Sequence, residues 1–249
     1  MNANAQIALV TGGARGIGEA ICRVLAAAGH TVIVTDINTG SAEALAAELQ
    51  GHAYEMDVTR PQSVDAACEK INRELGAPTI VVNNAGWDNL MPFLETDEEF
   101  QNKVIAINYT GPVRVCRAFL PGMIAAGGGR IINIASDAGR IGSALEAIYS
   151  GTKGGLIAFS KTLAREFARN QITVNCVCPG VTNTPLIKEI TATNPLASRG
   201  IASLERSIPL GRIGQPEDIA NAVAYLASAG AAYVTGQTLS VSGGISMAG

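Results

Sequence analysis

The chain has 249 residues, enough to bury a large core, and no composition shift breaks it, so one α/β domain is the simplest expectation. Its 18 basic and 21 acidic residues nearly balance, with no dense basic run, which argues against nucleic acid or an anionic membrane surface as partner. No apolar run approaches transmembrane length, the first residues carry no basic n-region, and five cysteines without framework spacing suggest reduced thiols in the cytoplasm.

Residues 6–11 (QIALVT) read as a short apolar strand, followed by GGARGIG and a helix with Ile17, Ile21, Val24 and Leu25 at helical spacing, ended by Gly29. Strand, glycine turn and helix make the start of a dinucleotide-binding fold. The glycines let a pyrophosphate approach the helix amino terminus, where unpaired N–H groups and the helix dipole favour negative charge. The second strand, TVIVTD, ends in Asp36. A carboxylate there accepts hydrogen bonds from the adenosine ribose hydroxyls and repels a 2′-phosphate, so NAD is expected over NADP. Two alternatives stay open: Asp36 can open the helix at 39–50, and the Arg15 guanidinium could reach a 2′-phosphate.

The third strand is expected to end in MDVT, with Thr59 and Gln62 spaced as a capping box for a helix at 61–75. TIVVNNAG closes the fourth strand on residues 83–86. Residues 97–125 read as one long helical stretch with Asn108 as a packing or kink residue inside it. RIINIAS is the fifth strand, and the next helix runs to about Asn170. After the strand ITVNCVC, residues 185–210 have mixed composition and read as a mobile cover over the site. A helix near Pro216 and the strand QTLSVSGG complete a βα alternation that predicts a single-domain, doubly wound, seven-stranded parallel sheet of Rossmann type.

His30 and His52 lie at helix-to-strand joins with no nucleophile or ligand cluster nearby, so neither a hydrolase triad nor a metal site is expected. Cys176 and Cys178 lie in the apolar strand run ITVNCVC and read as core, not as a metal site.

The chemistry concentrates at residues 133–153. Ser136 closes the fifth strand's apolar run, and Tyr149 and Lys153 sit four apart, so their side chains share one helix face. An ammonium beside a phenol favours the phenolate and is expected to bring Tyr149 towards neutral pH as a general base. Ser136 can hold the oxygen of an alcohol or ketone. Glu146 lies one helical turn before Tyr149, and Trp87 with Asp88 follows the fourth strand. A carboxylate here disfavours an anionic group at the ring end of a substrate and could accept a hydrogen bond from a phenol or alcohol, and Trp87 could offer a flat apolar wall. Capping by Glu146 and interface packing by Trp87 are the structural alternatives.

Through TGGARGIG (11–18), Asp36, MDV (56–58), NNAG (83–86), Asn108, Ser136, YSGTK (149–153) and PGVTNT (179–184), the chain resembles the short-chain dehydrogenase/reductases over essentially its whole length. The resemblance implies Tyr149 as general acid/base, Lys153 lowering its pKa and holding the nicotinamide ribose, Ser136 orienting the substrate, and Asn108 holding a water of the proton relay. It also implies Gly12, Arg15, Gly16, Ile17 and Gly18 around the cofactor phosphates and adenosine, with Asp57 and Val58 at the adenine. Asn84, Ala85 and Gly86 would lie on the adenosine side, and Pro179, Gly180, Thr182 and Thr184 at the nicotinamide half. A homotetramer acting on a small molecule by reversible hydride transfer is implied as well. NNAGWD, IASDAGRIGSALEAIY and the tail are similar to NAD-dependent 2-hydroxycyclohexanecarboxyl-CoA dehydrogenases of aromatic-acid breakdown. The chain also resembles 1-arylethanol dehydrogenases and 3-oxoacyl carrier-protein reductases, and Asp36 counts against the last, which mostly use NADPH. The favoured expectation is a cyclic or aromatic secondary alcohol, free or as a CoA thioester.

Overall fold

Five runs rich in Val and Ile and two short edge segments become strands: β1 (Ile7–Thr11), β2 (Thr31–Asp36), β3 (His52–Glu55), β4 (Ile80–Asn83), β5 (Gly129–Ile134), β6 (Ile172–Pro179) and β7 (Thr238–Val241), with β3 and β7 at the edges. In the computed structural model, which describes residues 6–247, they form one sheet in the order β3-β2-β1-β4-β5-β6-β7 with every pair parallel. The amino-terminal reading of residues 1–5 and the last two residues of the tail lie outside the described residues.

Strand alternation divides the core in two. Ala8, Val10, Val32, Val34, Ile80 and Val82 point to one side, where α1 (Gly16–Ala27), α2 (Thr39–Glu48) and α10 (Pro216–Ala227) cover them. Leu9, Ile33, Val81, Ile131 and Val174 point to the other, under α3 (Pro61–Glu74), α5 (Gly111–Ala125) and α7 (Ala147–Phe167). Cys176 and Cys178 are fully buried in β6, the core packing that was expected, and being two residues apart they point to one face and join Leu156 and Ile157. The chain runs β1, β2, β3 in one direction and resumes with β4 on the other flank of β1. Such a reversal opens a crevice at the carboxyl ends of the strands.

Three local expectations are corrected. The stretch at 97–125 is α4 (Glu98–Ile105), a π turn at Ala106–Thr110, and α5. Asn108 causes the widening, because its buried Nδ2 donates to the carbonyls of Val104 at 2.9 Å and Trp87 at 2.6 Å. The third strand stops at Glu55, and MDVT is loop. The capping box there does not form: the Thr59 hydroxyl donates to Asp57 Oδ1 at 2.6 Å, and α3 starts from Arg60 with Pro61 in its first turn.

The segment at 185–210 contains two helices, α8 (Pro185–Thr193) and α9 (Pro195–Ser207), capped by Thr184 and Asn194. Ile190 and Ala197 pack with Leu90, and Asn194 Nδ2 donates to the Leu90 carbonyl at 2.8 Å, so the cover is pinned to the loop after β4. A short helix, α6 (Ala138–Ile141), follows β5.

Candidate active site

The cofactor half of the crevice is knitted by Thr11, the last residue of β1. Its Oγ1 accepts from the amides of Asn84 at 3.1 Å and Ala85 at 3.0 Å, while Asn84 Nδ2 donates to the carbonyls of Thr11 and Gly12. A Cβ at Gly12 would stand 2.9 Å from the Ala85 backbone, and one at Gly18 only 2.1 Å from the Gly12 carbonyl oxygen. Both glycines are therefore required by the turn's own packing. Arg15 precedes α1 and gives no side-chain cap, so the first-turn amides of Gly16, Ile17 and Gly18 remain without a capping side chain, the arrangement that receives a phosphate.

Asp36 ends β2 beside this turn, accepting from Ala14 N at 3.1 Å and Asn38 N at 3.0 Å. The helix opener is Asn38, which accepts from Ser41 N. The Arg15 guanidinium is taken by Glu189 of α8 at 2.5 Å, with both side chains more than half exposed. Asp57 is tied into its own loop by Thr59, and buried Val58 packs against Gly111. On the opposite wall, Pro179 ends β6, Thr182 Oγ1 donates to the Gly180 carbonyl at 3.0 Å, and Thr184 Oγ1 accepts from Ile187 N at 3.3 Å.

At the reacting end the fold brings the four expected residues together. Ser136 lies two residues past β5, its Oγ accepting from Ala138 N at 3.1 Å. The Tyr149 hydroxyl is within hydrogen-bonding reach of Ser136. Lys153 is buried, donates from Nζ to the Ile134 carbonyl at 2.8 Å, and lies 5.4 Å from the Tyr149 ring centre. A Cβ at Gly86 would touch both Asn108 Oδ1, at 3.1 Å, and Lys153 Nζ, at 3.7 Å. Asn108 also accepts from Trp87 N, so its carboxamide is held by the backbone that follows β4.

The electrostatics depart from expectation. Burial pushes the Tyr149 phenol above its ordinary value, Glu146 and Asp88 push it further, and the Ser136 hydroxyl only partly offsets them. The Lys153 ammonium does not reverse this, because desolvation brings its own pKa down to about 8 and its hydrogen bond goes to Ile134. Tyr149 is thus held in its protonated form at neutral pH, a hydroxyl that can donate a hydrogen bond beside Ser136.

Beside Tyr149 is a narrow cleft, lined by Asp88, Met91, Phe93, Phe100 and Glu146 among others. Trp87 stands behind Phe100, 5.8 Å centre to centre, with Lys103 Nζ 3.8 Å over its ring, so Met91, Phe93 and Phe100 supply the apolar wall expected of Trp87. Glu146 precedes α7 without capping it by its side chain. Thr11 and Glu189 escaped the sequence reading. Thr11 was visible only as the first letter of the glycine motif, and Glu189 pairs with a residue 174 positions away. Among the described residues, no group of three or more His, Cys, Asp or Glu could hold a metal ion, and no helix is long and apolar enough to cross a membrane.

A switch-point crevice built to take a dinucleotide, ending at a serine and a tyrosine poised over one oxygen position, defines a nicotinamide-dependent oxidoreductase. The chain belongs to the short-chain dehydrogenase/reductase family. Residues 12–246 match the family described as enoyl-(acyl carrier protein) reductase. The chain is 44% identical to the 3-oxoacyl-[acyl-carrier-protein] reductase of Pseudomonas aeruginosa and 43% identical to that of Escherichia coli K12, covering 99% of this chain and 100% of each relative. A crystal structure titled ribose-5-phosphate isomerase, from Brucella melitensis 16M, superposes with a TM-score of 0.93 at 35% identity, covering 99% of this chain and 94% of the other.

Proposed function

We propose that the protein interconverts a 3-oxoacyl thioester and its 3-hydroxyacyl counterpart, using NAD(H). The similarity along the whole chain to 3-oxoacyl reductases supports the thioester, in place of the free ring alcohol that was one of the expectations. A 2-hydroxycyclohexanecarboxyl thioester carries its hydroxyl on the carbon β to the thioester carbonyl. A ring-shaped acyl group, favoured by the motif resemblance and the Met91, Phe93 and Phe100 wall, is therefore the same reaction in cyclic form.

The observation that carries the reading is the Tyr149 hydroxyl within hydrogen-bonding reach of Ser136 along that cleft, where burial favours its protonated form. In reduction, both hydroxyls donate hydrogen bonds to the ketone oxygen, and Tyr149 gives up its proton as that oxygen becomes an alcohol. Lys153, held by Ile134, faces the phenolate that results. Asp36, the 12–18 turn and the 179–184 loop would hold the dinucleotide, which when bound would supply the hydride. Asp36 with Ile37 behind it supports NAD. We also propose a cytoplasmic homotetramer. Its contact face would be the apolar groove formed by Val113, Leu120 and Ile124 of α5 with Phe159 and Phe167 of α7.

The test is NADH consumption with acetoacetyl and 2-oxocyclohexanecarboxyl thioesters, 4-hydroxyacetophenone and crotonyl thioester. Reduction of a 3-oxoacyl thioester in preference to the others is expected, and Tyr149→Phe should lower kcat by about 10²-fold or more. Preference for 4-hydroxyacetophenone would restore the free ring alcohol, and consumption with crotonyl thioester alone would replace ketone by alkene reduction. Product without net change in NADH would point to isomerase chemistry.

A further inference from the structure

Asp88 and Glu146 are not needed for proton transfer at Tyr149, yet both line its cleft. Asp88 is 6% exposed, and its Oδ2 is buried with no hydrogen-bond partner. The two carboxyls come from different loops within hydrogen-bonding reach of each other. Met91 N donates to the Leu145 carbonyl at 2.9 Å, which ties those loops together, and Leu145 has φ +69, a conformation an L-residue adopts at a cost. The charged and titratable groups facing the pair are Lys153 and Tyr149 of α7.

We propose that the Asp88–Glu146 pair is a charge filter for the acyl end of the substrate, admitting a neutral thioester and turning away the free β-oxo or β-hydroxy acid. The inference rests on the thioester reading above. In such a substrate the carboxyl carbon is two bonds from the reacting carbon, so its group must lie close to Tyr149 and hence to this pair.

Two buried carboxyls within hydrogen-bonding reach of each other oppose each other's ionisation, and sharing one proton leaves one negative charge between them. Burial and Glu146 place that proton on Asp88, pushing its pKa up to about 8. The single charge left repels a substrate carboxylate in a poorly screened site, while a thioester carbonyl carries none. The shared proton also has a use for catalysis. Were both groups ionised, each would raise the Tyr149 phenol further and oppose release of its proton.

The experiment compares acetoacetyl-N-acetylcysteamine with acetoacetate, and ethyl 2-oxocyclohexanecarboxylate with its free acid, as NADH oxidants. In a pair that is turned over, the wild type is expected to favour the neutral member at least 100-fold in kcat/KM. Glu146→Gln should narrow that ratio at least tenfold by improving the acid, read at a pH below the midpoint of its Asp88, where the pair carries no charge. As a readout independent of turnover, carboxyl-¹³C-aspartate labelling should show one aspartate still protonated at pH 7. That resonance should vanish in Asp88→Asn and titrate lower in Glu146→Gln. Neutral substrates turned over with a ratio near one, a ratio unmoved in Glu146→Gln, or no protonated aspartate at pH 7 would overturn the filter alone. Turnover of neither neutral compound would overturn the thioester function and the filter with it.

Discussion

Buried ionisable groups beside Tyr149 make the molecule's stability depend on pH in an unusual sense. For Asp88 the folded pKa, about 8, lies above the ordinary 3.8, so between roughly pH 4 and 8 the folded state holds a proton that the unfolded chain has released. Stability therefore falls as pH rises across that window, and the loss is complete above it. Lys153 acts in a higher window. Its folded pKa, about 8, lies below the ordinary 10.5, so the unfolded chain binds the extra proton and stability rises between roughly pH 8 and 10.5. Asp88→Asn keeps the shape without the titration. It should melt several degrees above wild type at pH 8, where 1 kcal/mol is about 2–4 °C for a chain of this size, and the gain should shrink towards pH 4.5. A gain that is flat across this range would mean that Asp88 does not hold the proton.

Among the elements, the interrupted helix carries most of the site's precision. Asn108 makes three hydrogen bonds, two of them to the backbone of Trp87, so the π turn sets where Gly86 and Asp88 lie relative to Lys153. Asn108→Ala would leave the Trp87 and Val104 carbonyls and the Trp87 amide without this partner. The expected cost is about 3 kcal/mol, with loss of activity exceeding that of an equally destabilised variant elsewhere in the core; chemical denaturation together with kcat checks both. Why the sequence hid this element is physical. Asn108 sits at helical spacing among apolar residues, and its demand for carbonyl partners is met by Trp87, 21 residues earlier. The five central strands were legible because burial on both faces requires apolar runs rich in Val and Ile, and α7 because Tyr149 and Lys153, the candidate catalytic pair, share a helical face. In α8 and α9, Pro195, Gly200 and Pro209 break the stretch into short pieces, so its mixed composition read as loop although Thr184 and Asn194 cap the two helices. The raised Tyr149 was equally hidden, since its causes lie in side chains that only tertiary packing brings near.

On the scale of the whole molecule, the cover and the phosphate turn meet across the crevice through one ion pair, and that contact bears on which dinucleotide fits. Arg15 is the one cation of the GGARGIG turn, and Glu189 holds its guanidinium at 2.5 Å, while Asp36 presents a carboxylate at the end of β2. A 2′-phosphate would meet the Asp36 charge and find Arg15 already neutralised; a 2′-hydroxyl meets an acceptor instead. Glu189→Ala releases Arg15 and leaves Asp36 in place. Since both partners are more than half exposed, the pair contributes little to stability, and the melting temperature should move by no more than about 2 °C. Affinity for NADPH should rise by roughly 3- to 10-fold, in line with freeing one charge-assisted contact, with affinity for NADH nearly unchanged. Asp36→Ala should act in the same direction, and the double variant should gain more than either alone. Fluorescence titration of the bound reduced dinucleotide reads both affinities. Equal gains for NADH and NADPH in Glu189→Ala would show that the ion pair restricts entry to the crevice in general, without selecting against the 2′-phosphate.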